Sequence, residues 1–429
     1  MTAATAVNGD TAGTTAPPPP PRWDLSDLYQ GVDDPRIEQA LADAKRRAEA
    51  FAKRYGGRIA SLDLAPAELA EAIAEFEQIH AQMARPGAFA SLLNAAEANE
   101  ANGALLQRVR ERTTEATLPL LFFELELMAV DGAQLEAAFL PDPALARFRH
   151  FLHTVRVQAP FRRSEPEERI LEEKANTGRR AFQRLFDQML AGLRFSLPDG
   201  DPDAKALTLS EVLDLQHDPD RDVRRHASLA LTNGLEPHAR TFAYLLNTLI
   251  QDKATEDRLR GYAYQEQARH LTNELSAETV ELVVRTATGG FGLVARYYEA
   301  KRRVPGLDRL THYDRYAPVT SDEIEIGFDA ARDLVLHAFG NFAEPYRAAG
   351  EAFFAGNWID AETRANKRGG AFCSYVTPDA HPYLFLNYLN KAGDVRTLAH
   401  ELGHGIHSYL SRGQGYLSYH GTLTVAEVA

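Results

Sequence analysis

The amino-acid sequence predicts a mainly α-helical protein with a small β element beside one chemically distinctive helix. Along most of the chain, apolar residues recur every three or four positions, the spacing that places side chains on one face of a helix, as for Leu69, Ile73 and Phe76. Residues 92–130 are rich in Ala and Leu, which favour helices. Strand-like patterns are confined to short stretches, of which residues 358–389 form the longest.

The composition is that of an ordinary globular chain of 429 residues, with 45% hydrophobic and 25% charged residues. The formal net charge of −13 argues against nucleic acid or an anionic membrane as a partner, and no apolar run approaches the ~20 residues of a membrane span. Cys373 is the only cysteine, which is typical of a reducing compartment. We therefore expect a cytoplasmic protein, whereas an oligomeric state is not predicted.

We expect three regions along the chain. Residues 1–22 are rich in Ala, Thr and Gly and end in a run of prolines, which predicts a disordered leader. The leader lacks the basic start and apolar core of a secretory signal. Residues 23–190 are predicted to form an N-terminal helical region and residues 191–429 a catalytic region, with a cleft between the two.

Caps and periodicity predict the individual elements. Asp34 and Pro35 form a cap and first-turn pair that begins the first helix, and a second helix begins near Pro66. A short extended patch is predicted at residues 195–209, around a turn at residues 198–201.

The second half of the chain alternates irregular and regular stretches. Residues 310–318 are irregular and precede a helix that Ser321 is expected to cap. Two strands are then predicted, residues 371–376 and residues 383–386, paired through the turn between them. The segment from Gly369 to Ser374 is a candidate exposed edge, to which an extended peptide could add as a further strand. The alternative is that this segment only packs under the helix that follows.

The segment after these strands contains the pattern His-Glu-x-x-His. Residues four apart on a helix lie on one face, one turn apart, so His400 and His404 can present two imidazoles to one metal ion. Glu401 projects beside them, where it can hold and deprotonate a metal-bound water. This pattern is a signature of zinc peptidases.

The same segment has the periodicity of a helix. Leu398, Leu402, Ile406 and Leu410 recur every four residues and form an apolar stripe roughly opposite the histidines. Asp394 is the expected N-cap. One face can therefore pack while the other lines a cleft.

A catalytic zinc site takes three protein ligands and a water, and the third ligand has three candidates. His407 lies ~10 Å along the helix from His400, so it is better suited to the wall of the site. His420 lies in a glycine-flanked turn. Glu427 lies in a segment that begins like a helix capped by Thr422, and its carboxylate would complete a His, His, Glu set.

Five short segments share their sequences with one family. They are residues 23–29 (WDLSDLY), 366–374 (NKRGGAFCS), 381–383 (HPY), 394–404 (DVRTLAHELGH) and 426–429 (AEVA). Together they resemble oligoendopeptidase F, the bacterial branch of the thimet-oligopeptidase-like zinc peptidases. The metal motif occurs in many peptidases, but its combination with GAFCS and AEVA is much more specific.

The resemblance implies that His400, His404 and Glu427 bind one Zn²⁺ per chain and that Glu401 is the general base. It also implies an endopeptidase that hydrolyses short oligopeptides through a metal-activated water and excludes intact proteins by size. We expect substrate contacts from the glycine-rich edge segment and from nearby histidines, namely Gly369, Gly370, Ala371, Phe372, His381, His407 and His420.

In one respect the sequence departs from this family. The family's chain continues past the position that matches Ala429, with a His- and Tyr-bearing segment that helps to bind substrate and stabilise the oxyanion. We therefore expect a fragment whose catalytic region is incomplete at its C-terminus. The alternatives to a peptidase are a non-catalytic helical peptide-binding protein and a fragment that is not competent.

Overall fold

A computed structural model describes the chain in five stretches, residues 19–61, 63–138, 141–198, 206–319 and 325–428. Most of the predicted leader lies outside the described residues. So do residues 199–201 of the predicted turn and the predicted cap Ser321.

Helices make up most of the described chain, so the mainly α fold class is confirmed. The helices of the first half are α1 (Pro35–Tyr55), α2 (Pro66–Ala96), α3 (Glu100–Thr117), α4 (Leu121–Ala129), α5 (Gly132–Ala138), α6 (Pro143–Ala146), α7 (Arg149–Val157), α8 (Glu165–Ala175) and α9 (Arg179–Gly192). The helices of the second half are α10 (Leu209–Asp214), α11 (Arg221–Leu235), α12 (Ala239–Arg260), α13 (Gln267–Thr272), α14 (Ala277–Gly289), α15 (Phe291–Arg303), α16 (Phe328–Phe342), α17 (Glu344–Ala355), α18 (Ala392–Ser411), α19 (Tyr416–Tyr419) and α20 (Leu423–Ala426). Among the described helices, none combines the length and the apolar character needed to cross a membrane.

The N-terminal core is built mainly from α1, α2, α4 and α7. The Asp34 carboxylate accepts a hydrogen bond from the backbone N–H of Arg36 at 3.0 Å, and Pro35 stands in the first turn, as the cap signal predicts. On the buried face of α1, Phe51 packs on Phe76 of α2 among other aromatic rings. Burial of each such large apolar side chain contributes ~1.5–3 kcal/mol.

The β element is a three-stranded sheet in the order β1-β3-β2, in which β1 is Ile359–Asp360, β2 is Phe372–Ser374 and β3 is Tyr383–Phe385. β2 pairs antiparallel with β3, as predicted, and β1 pairs parallel with β3. β2 is therefore an edge strand of the described sheet. The sequence did not predict β1, because two residues that include a charged Asp360 carry no alternating pattern.

The first predicted strand ends earlier than its apolar pattern indicates. Val376 has φ of 60°, in the left-handed region that β-branched residues rarely adopt, so extended backbone cannot continue through it. The extended patch predicted at residues 195–209 is present only as a bridge between Phe195 and Leu207 in the described residues.

The helix that carries His-Glu-x-x-His is α18, and its predicted packing face is largely correct. Leu398, Leu402 and Ile406 are fully buried in one cluster with residues of α17 and β3. Leu410 was predicted to join them but is exposed, because it lies in the last turn, beyond the packed surface. Asp394 lies in the first turn rather than at the N-cap, where its carboxylate accepts hydrogen bonds from the backbone N–H groups that precede the helix.

Backbone and side-chain contacts join the N-terminal helices to the region around α18. The Glu77 carboxylate of α2 accepts a hydrogen bond from the backbone N–H of Leu417 at 3.1 Å, where α19 packs on α2. After α2, the N–H of Ala98 donates to the carbonyl of Asn366 at 2.8 Å. These contacts cross the division expected after residue 190, which stays a prediction.

The close packing of α18 can be tested with Gly405→Ala. An added Cβ would lie 2.8 Å from the Phe353 ring and 3.0 Å from the Leu384 side chain, so we expect the substitution to lower the free energy of unfolding by ~1–3 kcal/mol. Urea and thermal unfolding would measure the change.

Gly403→Ala is the matched control on the same helix. A Cβ at Gly403 would have its nearest contact at 3.9 Å, an ordinary van der Waals distance to Phe339, so the alanine should stabilise the helix by ~0.5–1 kcal/mol. Equal effects of the two substitutions would contradict the close approach at Gly405.

Candidate metal centre

Three side chains converge at the exposed face of α18. The Nε2 atoms of His400 and His404 lie 3.1 Å apart, with the two rings at 78° to each other. The Glu427 carboxylate reaches them from just after α20, with one oxygen 3.6 Å from Nε2 of His400 and the other 3.9 Å from Nε2 of His404. One ligand atom from each of the three residues lies within 4.8 Å of the others.

This donor set fits a zinc ion. Ligands held at ~2.0–2.1 Å in a tetrahedron stand ~3.3 Å from one another, which is close to the separations between the two Nε2 atoms and the Glu427 oxygens. Two imidazoles and one carboxylate would also leave a fourth position open, which is the pattern of catalytic rather than structural zinc sites.

The two histidines differ in their surroundings. The His404 side chain is 13% exposed and the His400 side chain is 52% exposed. Burial lowers the pKa of His404, and the neighbouring His400 lowers it further. The pKa shift of His404 therefore favours the neutral imidazole, the form that binds a metal.

Glu401 is the most buried polar side chain at this centre, with 7% of its surface exposed. Burial raises the pKa of its carboxyl group and the charge of Glu427 adds to the rise, whereas His400 opposes it. A carboxylate with raised proton affinity is better suited to accept a proton near neutral pH.

A cavity of about 640 Å³ opens onto these residues. Its lining joins three parts of the fold, namely β2 and its flanks, the polar face of α18, and the segment around α20. The lining residues are Ala371, Phe372, Cys373, Tyr375, His400, Glu401, His404, His420, Gly421, Leu423, Ala426 and Glu427.

Some of the predicted substrate-contacting residues lie in this lining and others do not. Ala371, Phe372 and His420 line the cavity. Gly369 and Gly370 precede β2 and lie outside the lining: a Cβ at Gly369 would lie 3.1 Å from the Ser210 hydroxyl of α10, and Gly370 has a φ of 83°, in the left-handed region.

His407 and His381 also lie outside this lining. His407 follows one turn after His404, and its Nδ1 atom is buried without a hydrogen-bond partner in the described structure. His381 is stacked on Trp358, with ring centroids 3.8 Å apart, and its Nε2 lies 3.0 Å from the Asp27 carboxylate. The His381 ring is engaged in packing and in anchoring the N-terminal segment, and its contact with substrate stays a prediction.

Sequence reasoning missed two cavity residues at the edge strand, Cys373 in the middle of β2 and Tyr375 directly after it. Alternate residues of a strand share a face, so Ala371, Cys373 and Tyr375 could have been grouped by their spacing of two. Burial raises the pKa of the Cys373 thiol, and the charge of Glu401 raises it further, which keeps the thiol protonated.

A buried chain of hydrogen bonds ties this strand to the metal-motif helix. The Ser408 hydroxyl of α18 donates to the Tyr419 hydroxyl at 2.8 Å, which in turn donates to the carbonyl oxygen of Tyr375 at 2.7 Å. The Tyr375 ring also lies 5.3 Å from the His420 ring and nearly parallel to it. The end of β2 is thereby fixed against both α18 and α19.

Comparison with known protein families gives two matches. The model of peptidase family M3 matches residues 214–429, and the model described as oligopeptidase F matches residues 126–195. The first match contains all the residues of the centre described above.

Individual proteins with similar sequences or folds are also oligopeptidases by name. The chain is 26% identical to oligopeptidase PepF of Bacillus subtilis, over 74% of this chain and 48% of the relative, and 26% identical to the group B oligopeptidase PepB of Streptococcus agalactiae, over 72% and 51%. The chain thus spans about half the length of these relatives. A crystal structure of oligoendopeptidase-F from Enterococcus faecium shares the fold with a TM-score of 0.65 at 20% identity, over 92% of this chain and 64% of that one.

Tyr419→Phe tests the hydrogen-bonded link between α18 and β2. Loss of the hydroxyl leaves the Ser408 donor and the Tyr375 carbonyl without their buried partner, so we expect the free energy of unfolding to fall by ~1–3 kcal/mol. Chemical denaturation would measure it.

Tyr416→Phe supplies the control three residues away. The Tyr416 hydroxyl makes no hydrogen bond to the described part of the chain, so its removal should change stability by no more than ~0.5 kcal/mol. A Tyr419→Phe variant as stable as this control would show that the link is unimportant.

Proposed function

The chain belongs to peptidase family M3, in its oligoendopeptidase F branch, and on that premise we propose that it is a zinc-dependent endopeptidase of short peptides. The observation that carries the proposal is the convergence of His400, His404 and Glu427 in one cavity beside the buried Glu401. His400, His404 and Glu427 would hold one zinc ion. When bound, zinc supplies Lewis acidity, which makes both a carbonyl group and a water molecule more reactive.

Glu401 has the role of general acid and base. Its carboxylate accepts a proton from the attacking water and later delivers that proton to the leaving amine. Two features support this assignment: Glu401 follows His400 directly in the chain, and burial raises the pKa of its carboxyl group.

The edge strand β2 is the proposed binding surface for the peptide backbone. One side of β2 pairs with β3, and the cavity lies along the strand. An extended peptide that adds to the other side of β2 would form backbone hydrogen bonds that do not depend on the peptide's sequence, while Tyr375 and His420 would contact its side chains.

Short peptides are the proposed substrates for two reasons. The Bacillus subtilis and Streptococcus agalactiae relatives are both named oligopeptidases. In addition, the lining combines a strand, a helix and the α20 segment around about 640 Å³, a volume that accommodates a few residues of an extended peptide.

Glu401→Gln is the direct test of the proposed chemistry. The variant should keep its zinc, because the three ligands are unchanged, but should lose ~10²–10⁴-fold in turnover, because an amide cannot accept the proton. Metal content by mass spectrometry and cleavage of a quenched fluorescent peptide would be measured on the same preparation.

Two further variants are controls for the Glu401→Gln measurement. Glu281→Gln, at an exposed position of α14, should retain full activity, and His404→Ala should lose bound zinc. A chelator should stop cleavage by the native chain, and added zinc should restore it. Near-normal cleavage by Glu401→Gln would refute the assigned role.

The proposed substrate class predicts a strong dependence on length. A peptide of about a dozen residues should be cut efficiently, because a few of its residues can enter the cavity in extended form while the rest stay outside it. The same sequence joined to a long unfolded polypeptide, and denatured casein, should be cut slowly. Mass spectrometry of the products would compare the rates, and rapid digestion of casein would contradict the proposal.

A further inference from the structure

A lysine with a fully buried side chain lies under the sheet that carries the cavity wall. The Nζ atom of Lys367 donates hydrogen bonds to the carbonyl oxygens of Leu386 at 2.7 Å and Glu362 at 2.9 Å, and lies 3.2 Å from that of Asp360. It also lies 2.6 Å from the Asp360 carboxylate, and the Lys367 side chain has no exposed surface. Lys367 therefore joins the ends of β1 and β3 to the loop that leads into β2.

Two cationic side chains in this cluster share one buried carboxylate, that of Asp360. Asp360 has no exposed surface, and both of its carboxylate oxygens accept hydrogen bonds from Arg364, at 2.7 Å and 2.8 Å. Burial lowers the pKa of Lys367 to about 8, while the Asp360 carboxylate opposes the shift. A buried ion pair contributes less to stability than apolar packing of the same volume. We therefore assign to this pair a role in fixing the positions of the strands and of the loop before β2.

A column of side chains connects this lysine to the cavity. The ammonium group of Lys367 lies 4.6 Å from the centre of the Phe385 ring, and Phe385 is stacked on Phe372, with centroids 4.7 Å apart and planes at 15°. Phe372 is the first residue of β2 and lines the cavity. Only one aromatic ring thus separates the Lys367 charge from the cavity wall.

A second contact restrains the same loop. The amide nitrogen of Asn387 donates to the carbonyl oxygens of Arg368, at 3.0 Å, and Gly370, at 3.1 Å. Lys367 and Asn387 therefore hold the approach to β2, while the Tyr419 hydroxyl holds its other end.

We propose that Lys367 is a positioning residue for substrate binding, which fixes edge strand β2 in the register that lines the cavity. The consequence for substrate rests on the proposed peptidase function; the positioning of the strand does not. Lys367 has no contact with His400, Glu401 or Glu427 among its described partners, so its loss should weaken peptide binding and leave the chemical step intact.

The single cysteine of the chain is a built-in reporter of this strand. Cys373 lies in the middle of β2 and in the cavity lining, where its thiol is held protonated and partly covered. In Lys367→Met, which keeps the chain length but removes the charge and all the donors, β2 should detach more often. The rate of Cys373 modification by a small maleimide should then rise at least about tenfold, because this rate is proportional to the fraction of molecules in which the strand is open.

Lys45→Met is the control for the same change of residue type, since Lys45 pairs with Glu115 on the N-terminal helices of the described structure and lies outside the sheet. It should leave Cys373 modification unchanged. Lys367→Gln keeps two N–H donors and should fall between the native chain and Lys367→Met. If Lys367→Met does not fold, the rates of Cys373 modification in Lys367→Gln and Lys45→Met are compared instead.

Kinetics supply the second measurement. KM for a short peptide should rise about tenfold in Lys367→Met, the effect of losing one or two backbone hydrogen bonds, while kcat stays within about twofold. Unchanged Cys373 modification in the Lys367 variants, at equal zinc content and with unfolding transitions like that of the control, would overturn the proposal. A fall in kcat with KM unchanged would also overturn it.

The two proposals fail separately. If the native chain cuts no peptide with zinc present, the proposed peptidase function is wrong, but the Cys373 measurement still decides whether Lys367 positions β2. If peptides are cut and Cys373 does not respond, only the positioning role is refuted.

Discussion

The packing of one face of α18 is the interaction on which the rest of the site depends. Leu398, Leu402 and Ile406 have no exposed surface, and Gly405 brings the helix so close to α17 and β3 that no side chain fits between them. Because a helix has a fixed angle per residue, anchoring this face also fixes the direction of His400 and His404. The histidine pair is therefore positioned by apolar packing on the opposite side of the helix.

The cavity wall opposite α18 is held by polar contacts of high sequence separation. Tyr419 reaches the carbonyl of Tyr375, 44 residues earlier in the chain, and Lys367 reaches the carbonyl of Leu386, 19 residues later. A short edge strand cannot hold itself in place, since β2 has three residues and pairs with a single described neighbour. The hydrogen bonds of the buried Tyr419 hydroxyl and Lys367 ammonium group hold β2 in place, which pairing over three residues alone does not.

This difference explains how much could be predicted from the sequence. The face of α18 follows from periodicity, and the pairing of β2 with β3 follows from two apolar runs around a turn. Glu427 is different: spacing disfavoured His407 but left His420 and Glu427 as candidates, and only the resemblance to a family favoured Glu427. The Lys367 cluster and the Ser408–Tyr419 link could not be predicted, because they depend on which carbonyl groups the folded chain brings together.

The three candidate ligands are not equally constrained. His400 and His404 belong to a helix of 20 residues with a buried face, whereas Glu427 follows the four-residue α20, whose Leu423 and Val425 are more than half exposed. So short a helix has little stability of its own in water, and α20 buries little surface that could compensate. A metal ion that binds all three would gain from two prearranged imidazoles and would have to order the third ligand. Part of its binding free energy would then stabilise α20, so that metal binding and the folding of this segment are coupled. The same segment lines the cavity through Leu423 and Ala426, and its folding would therefore complete the metal centre and the peptide-binding surface together.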